Sequence, residues 1–452
     1  MTDDELLADA SFRALRYAAA IDNRAVSPTP AARAALARFD EPLPGRGRDA
    51  QDTLALLDDI GSPATMASTG RRYFGFVNGA TLPIALGASW LADAWDQNTA
   101  LPVMSPVAST LYEVASRWLV DLLHLPEGTG VAFVTGATVA NATALAAARD
   151  ALLDGLGWDV QANGLFGAPP LQVVVGERAH STLKKSLGLV GLGRERVHVV
   201  PADDQGRLRA DLLPDLEGPV LVCAQAGEVN TGAFDPFEPI ADWLEQRGGW
   251  LHVDGAFGLW AMAEPSRARL VHGLDRANSW ATDGHKWLNV TYDCGIAFVR
   301  DPSTLRRTFA ATAGYLPPDS GFEAMHHTPQ SSQRARQVEV WAALRTLGRD
   351  GVAAMVKRAC DAATHMAGRL AGNGFTLLND VVINQVLVRL DDGPTTEALI
   401  AEIQRDGRIW CGPTMWDGET AMRISVSSWK TDTDDADAAA HIIIECAGRL
   451  RR

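Results

Sequence analysis

The chain has 452 residues, 47% of them apolar and 21% charged, with 41 Lys plus Arg against 55 Asp plus Glu and a formal net charge of −14. These proportions belong to a folded globular protein long enough for a large core and more than one domain, and they set aside intrinsic disorder. The negative balance argues against a partner gripped by its phosphate backbone, so no nucleic acid is expected.

Five cysteines, Cys223, Cys294, Cys360, Cys411 and Cys446, are widely spaced and include no C-x-x-C pair. That spacing disfavours a zinc or redox centre and suits a reducing, cytoplasmic setting. The opening MTDDELLADASFRALRYAAA is acidic at once and lacks the basic-then-apolar order of a secretory signal. The nearest approach to a membrane span, VAFVTGATVANATALAAAR, is interrupted by Asn141 and several threonines, so no membrane association is expected.

In chain order, residues 1–55 are predicted to form a helical arm that leans on the main body or on a second subunit. Residues 56–345 carry a strand and helix rhythm. The β-rich runs are VAFV (131–134), LQVVV (171–175), VHVV (197–200), PVLVCA (219–224), WLHVD (250–254) and GIAFV (295–299). Helical patterns such as NATALAAARDALL and PFEPIADWLEQRG separate most of them, which predicts a parallel α/β sheet with crossover helices. The short gap before GIAFV leaves room for one antiparallel strand. After VEVWAALRTLG the pattern changes. A long helix over about 350–372, the run FTLLNDVVINQVLVRL, a helix TTEALIAEIQRDG, a strand AMRISVSSW and a final helix from 432 predict a smaller α+β domain over residues 346–452. There is no internal repeat and no low-complexity segment.

Ligands of open α/β sheets gather beyond the carboxyl ends of the strands, so the residues just after these runs are the ones that carry chemistry. Lys286 follows SWATDGH. A lysine in such a place forms a Schiff base where its amine is desolvated or set beside other cations, although a lone lysine is more often a surface charge. Asp254 ends WLHVD. A carboxylate buried there needs a cationic or hydrogen-bonding partner, such as the protonated ring nitrogen of pyridoxal phosphate; alone it reads as a turn cap. Thr135-Gly136-Ala137-Thr138 joins a strand to an Ala-rich helix, a junction that directs free N–H groups and the Thr138 hydroxyl at a phosphate. Small residues also serve plain packing, and neither a P-loop lysine nor a G-x-G-x-x-G is present. His180, after LQVVV, is placed to lie flat on a pyridine ring, and His285 stands beside Lys286; single histidines are more often structural. Glu323, His326 and His327 make only a weak metal pattern, and no metal is expected.

In this order and spacing, over roughly residues 55–450, these segments resemble the pyridoxal-phosphate-dependent group II amino-acid decarboxylases, the family of aromatic amino-acid, glutamate and cysteine sulfinate decarboxylases. The resemblance implies an aspartate aminotransferase-like fold (PLP fold type I), α/β, with a mostly parallel seven-stranded sheet in the large domain and a smaller C-terminal α+β domain. It implies pyridoxal 5'-phosphate as cofactor and a homodimer with its sites at the subunit boundary. FVTGATVANATALAAAR is similar to the phosphate-binding turn, implying backbone contacts from Gly136 and Ala137 and a bond from Thr138. HSTLKKS resembles the segment whose histidine, here His180, stacks on the ring. HVDGAFG implies Asp254 on the ring nitrogen, with Ala256 on the face opposite His180. DGHKWLNVTYDCG implies Lys286 as the lysine of the internal aldimine, His285 beside it and Asp283 near the phosphate. AATAGYLPPDSG resembles the catalytic loop, making Tyr315 the acid that protonates the α-carbon.

Three departures stand out. Gly227-Glu228-Val229 replaces a Gly-Thr-Thr, leaving Asn230 as the candidate to supply the lost hydroxyl's bond. Asp283 is acidic where a neutral residue is usual, and Gln333-Arg334 stands in place of a double arginine. RRYFGFVNGATLP and WDQNTALPVMSP resemble substrate-pocket segments, which makes Phe76, Asn78, Trp95 and Gln97 pocket candidates. The implied activity is decarboxylation of a small-molecule L-amino acid to its amine and carbon dioxide, a step of amino-acid and carboxylic acid metabolism. Transamination, with Arg423 holding the substrate carboxylate, aldol-type cleavage, oxidative aldehyde formation and a non-catalytic cofactor-binding homologue use the same cofactor grip and stay open.

Overall fold

The structure, a computed structural model, describes residues 2–311, 321–391 and 393–452. Seven short apolar runs form its main sheet: Gly130–Val134 (β1), Gln172–Gly176 (β2), His198–Val200 (β3), Val220–Gln225 (β4), Trp250–Asp254 (β5), Ser279–Asp283 (β6) and Gly295–Val299 (β7). Their order across the sheet is β1-β7-β6-β5-β4-β2-β3. β2 to β6 pair in parallel, while β7 runs antiparallel to both β1 and β6. The one antiparallel strand allowed by the short gap before GIAFV is therefore β7. β1, β4, β5, β6 and β7 are buried along their whole length, as a sheet covered by helices on both faces requires.

The helix Ala137–Asp154 lies against β5, β6 and β7 and is buried on nearly every side, which explains its run of alanines: larger side chains would hold it off the sheet. A second sheet, of Phe375–Leu377 (β8), Gln385–Leu390 (β9), Gly412–Trp416 (β10) and Glu419–Ser425 (β11), is antiparallel in the order β10-β11-β9-β8. The helices Thr396–Asp406 and Thr433–Leu450 accompany it.

Two local expectations change, and the run FTLLNDVVINQVLVRL resolves into two strands, β8 and β9. β10 was not anticipated. It pairs with β11 across Asp417-Gly418, both at positive φ (48° and 81°), a two-residue turn whose twist suits a hairpin. The long helix begins at Gln337, not near 350, and runs to Ala371 with a break at Gly348 (φ 62°, ψ −177°). The domain boundary expected at 345/346 falls inside this element, just before the break.

What the fold does for chemistry is set by register. Gln225 pairs with Asp254, Asp254 with Ala281, Asp283 with Gly295, and Gly295 with Val134. One edge of the sheet thus gathers the ends of β4, β5 and β6, the start of β7 and the turn after β1. The backbones there are in direct contact: a Cβ added to Gly295 would sit 2.4 Å from the Gly136 backbone, and one on Gly79 only 1.8 Å from the carbonyl oxygen of Lys286. Gly295→Ala is expected to destabilise by about 1–3 kcal/mol through overpacking. Gly87→Ala, at a helical position with nothing within 4 Å of the new Cβ, is expected to be neutral or slightly stabilising. Thermal melts of the two variants against wild type check the contrast.

Candidate active site

At that edge lies a cavity of about 250 Å³ whose lining includes Gly136, Ala137, Thr138, His180, Gln225, Val229, Asp254, Ala256, Asp283, His285 and Lys286. The cofactor residues inferred from sequence, apart from Tyr315, face one space although they come from four separate segments. A larger cleft of about 830 Å³, lined by residues such as Arg207, Asp235 and Arg269, contains none of them. Size therefore does not mark the chemistry here; the convergence of an amine, carboxylates and a helix-start turn does.

Lys286 Nζ lies 3.1 Å from Asp283 Oδ2, and Asp283 Oδ1 accepts from the Ala137 N–H at 2.6 Å. The acidic residue at the turn is thus matched by an ammonium and a backbone donor, with His285 Nε2 a further 3.6 Å away. Asp254 is 5% exposed. Its Oδ2 accepts from Asn141 Nδ2 at 3.0 Å and its Oδ1 from the Ala256 N–H at 3.2 Å. The carboxylate is tied on both oxygens yet has no cationic partner within salt-bridge distance among the described residues, as a group waiting for a cation in the cavity would be.

The histidines are set as neutral groups. His180 caps the helix Ser181–Leu189 and its Nδ1 accepts from the Thr182 N–H, which leaves the ring proton on Nε2. His285 Nδ1 accepts from the Cys294 N–H at 3.1 Å, and its ring stacks on Tyr292 at 4.2 Å. Burial pushes both imidazoles below their ordinary range. His252, fully buried on the same strand as Asp254, is pushed down to about 4 for the same reason.

The pocket candidates divide. Asn78 Oδ1 accepts from the Tyr292 hydroxyl at 3.1 Å, and Phe76 stacks on Trp410 at 5.3 Å with its ring largely exposed, so this segment flanks the lysine loop. Trp95 and Gln97 stand at the end of the helix Pro83–Trp95 and do not line the cavity. Tyr315 lies outside the described residues. Asn230 does not fill in for a missing hydroxyl: its Nδ2 donates to Glu228 Oε1 and its Oδ1 accepts from Thr414, while Val229 faces the cavity. Glu228 is spent on the N–H groups of Asn230 and Thr231. Of the altered arginine pair, Gln333 donates to Thr328 and Arg334 bridges Asp93 and Glu339. The weak metal pattern is an internal pair, His326 Nε2 lying 2.9 Å from Glu323 Oε2.

Sequence reasoning missed Gln225, whose Oε1 accepts from the His180 N–H, and the pair Asn141 and His252. A signal existed for the pair. His252 precedes Asp254 by two on a strand and so shares its face, and Asn141 lies one helical turn after the Ala137-Thr138 start.

Residues 41–391 match the family described as the pyridoxal-dependent decarboxylase conserved domain. The chain belongs to that family. It is 31% identical over 309 residues to the acidic amino acid decarboxylase of Bos taurus, covering 65% of this chain and 58% of that protein. It is 33% identical over 279 residues to the L-2,4-diaminobutyrate decarboxylase of Rhizobium meliloti (strain 1021), covering 58% and 52%. The chain thus spans little more than half the length of these relatives. Among solved structures, Oryza sativa TDC with PLP and tryptamine superposes with a TM-score of 0.90 over 100% of this chain and 99% of that one, at 20% identity. The fold is therefore that of the pyridoxal-phosphate decarboxylases. The family's cofactor is pyridoxal phosphate, and the donor set fits it: a helix-start turn lining the cavity for the phosphate, its Ala137 N–H matched to Asp283, a tied carboxylate for a ring cation, an amine for a carbonyl carbon, and a glycine at 295 where any side chain would strike the turn.

Two buried groups set opposing acid responses. An unfolded chain protonates His252 near 6.5 but the native state only near 4, so its contribution to stability is lost as pH falls through that window. Asp235, buried and accepting from the Leu208 and Gln225 N–H groups, keeps its proton up to about 6 against 3.8 unfolded. Its contribution is present below 3.8 and lost as pH rises through 6. Asp235→Asn leaves only the first effect, so its stability is expected to climb more steeply from pH 4 to 6.5 than wild type's, read from urea titrations at stepped pH.

Proposed function

We propose that the protein decarboxylates an L-amino acid to the corresponding amine and carbon dioxide, with pyridoxal phosphate bound in the Lys286 cavity. The observation that carries this reading is that the Lys286 amine and the buried Asp254 carboxylate face one small space beside the helix-start turn at Gly136 to Thr138. When bound, the cofactor supplies an electrophilic carbonyl and a conjugated ring that takes up the electrons of the breaking bond. Lys286 is the amine that holds it covalently. Gly136 and Ala137 N–H groups and the Thr138 hydroxyl hold the phosphate, with Asp283 and His285 alongside. His180 covers one ring face and Ala256 the other, and Asp254 holds the ring nitrogen. Tyr315 delivers the proton to the substrate α-carbon.

Arg423 on β11 is half-buried, donates to the Val229 carbonyl at 3.3 Å and has no carboxylate within salt-bridge distance among the described residues. Burial lowers its pKa. It is the cation for a substrate carboxylate, and Phe76 and Asn78 flank the approach. Trp95 and Gln97 belong to this pocket only where a second chain completes it. The same arginine supports a second reading, transamination, in which the α-carboxylate is held rather than released.

A homodimer fits the surface. Leu7, Phe12 and Leu15 on the arm and Trp90 and Leu91 on the helix Pro83–Trp95 are exposed apolar side chains that a second subunit would cover. Among the described residues no helix is long and apolar enough to cross a membrane, and the five free cysteines suit the cytoplasm. We assign the arm to residues 1–55, the cofactor domain to 56–345 and the small domain to 346–452.

Incubation of the pyridoxal-phosphate-loaded protein in air with a panel of L-amino acids is expected to give the matching amine, and Lys286→Ala is expected to abolish it. Tyr315→Phe is expected to slow release of the amine and divert part of the flux to an aldehyde. Mass spectrometry of the products decides: a keto acid would mean transamination, and no product from any amino acid would mean a binding protein without turnover. Light scattering tests the dimer.

A further inference from the structure

Behind Asp254 runs a chain of buried hydrogen bonds that the proposed reaction does not itself use. Trp250 Nε1 lies 2.8 Å from Ser279 Oγ, Ser279 Oγ 2.9 Å from His252 Nδ1, His252 Nε2 2.9 Å from Asn141 Oδ1, and Asn141 Nδ2 3.0 Å from Asp254 Oδ2. His252, Asn141 and Ser279 are 0% exposed, so no water competes for these groups. β5 and β6 set the register, with His252 opposite Ser279, and the helix Ala137–Asp154 brings Asn141 across to both His252 and Asp254.

The direction of every bond in the chain is determined. A carboxylate only accepts, so Asn141 must turn its NH₂ to Asp254 and its carbonyl to His252. His252 Nε2 must then carry the ring proton, which leaves Nδ1 an acceptor. Ser279 donates to Nδ1 and uses its lone pair for the indole N–H of Trp250, which can only donate. One arrangement satisfies all five residues, and it points every proton toward the carboxylate.

We propose that Asn141 and His252 are positioning residues of the cofactor site, holding Asp254 in one orientation as a pure hydrogen-bond acceptor for the ring nitrogen. The proposal rests on the reading of the cavity as the pyridoxal phosphate site. Replacing His252 by leucine frees the Asn141 amide to turn, and a turned amide sets its oxygen against the carboxylate. Replacing Asn141 by aspartate sets a second carboxylate beside Asp254.

Two measurements test it. The first is ¹⁵N NMR of histidine-labelled protein without cofactor, which reads the tautomer of His252 directly. A neutral ring protonated on Nε2 is expected at pH 7; a ring protonated on Nδ1, or on both nitrogens, overturns the proposal. The second is equilibrium binding of pyridoxal phosphate. His252→Leu and Asn141→Asp are expected to weaken it by about 10- to 100-fold, the loss typical of a hydrogen bond to a charged group, with His252→Gln binding more tightly than His252→Leu. In the leucine variant the pH at which the bound cofactor's ring nitrogen loses its proton, read from visible absorbance, is expected to fall. A merely structural histidine would lower the melting temperature without moving that pH. If wild type binds cofactor and the variants match it in affinity and pH, the positioning role falls while the site reading stands. If wild type does not bind, both fall.

Discussion

A carboxylate buried at the end of the central strand is the constraint around which this molecule is arranged. Taking Asp254 out of water costs several kcal/mol unless its oxygens are met, and neither β5 nor β6 supplies a side chain that meets them. The donors come from the Ala256 backbone and from Asn141 on the helix packed over the sheet. That helix also begins with the turn at Gly136 and Ala137. One packed element therefore fixes both a donor for the carboxylate and the turn across the same cavity. The small size of many of its side chains, eight of them alanine, lets it lie close enough to do both.

The lysine is held by different means. Asn289, three residues after Lys286, is fully buried at a left-handed φ of 58°. Its Oδ1 accepts from the N–H groups of Ala80 and Trp429, and its Nδ2 donates to the carbonyls of Trp287 and Ser427. A single side chain thus joins the lysine loop, the segment that follows Asn78 and the exit of β11. Because Gly79 also lies against the Lys286 carbonyl, the amine is placed by backbone contacts that tolerate no added atom. Arg423, on the strand that leads to Ser427, is carried to the carbonyl of Val229 beside the cavity by the same junction. The geometry of the site is in this way a property of how the two sheets meet.

Much of this was readable before any coordinates. Strands with apolar residues on both faces announce a covered parallel sheet. Asp254 and Lys286 stand out through their company, since each alone reads as a turn cap or a surface charge but both follow strand-like runs in one order with the turn at Gly136 and His180. The turn at Gly136 is visible as small residues between strand and helix. The unread parts have physical causes as well. Asn230 looked free to bond a ligand, but Glu228 and Thr414 claim its amide, and contacts across 184 residues leave no trace in local spacing. β10 hid behind a proline, although the Asp417-Gly418 pair beside it is a strong hairpin signal. The start of the long helix was set too late because Gly348 breaks its periodicity, and the residues before the break read as a separate piece.

The sequence by itself determined the class of fold, the order of its elements and the chemical identity of the groups at the site. Period-two and period-3.6 patterns and residue types at strand ends are local quantities, complete in the chain. Tertiary structure decided which of those groups meet and in what state. The sense of the bonds from Trp250 to Asp254 and the tie between the Ala137 N–H and Asp283 depend on distances of about 3 Å between distant segments. At that range desolvation and hydrogen-bond direction outweigh anything a residue's neighbours in sequence can impose.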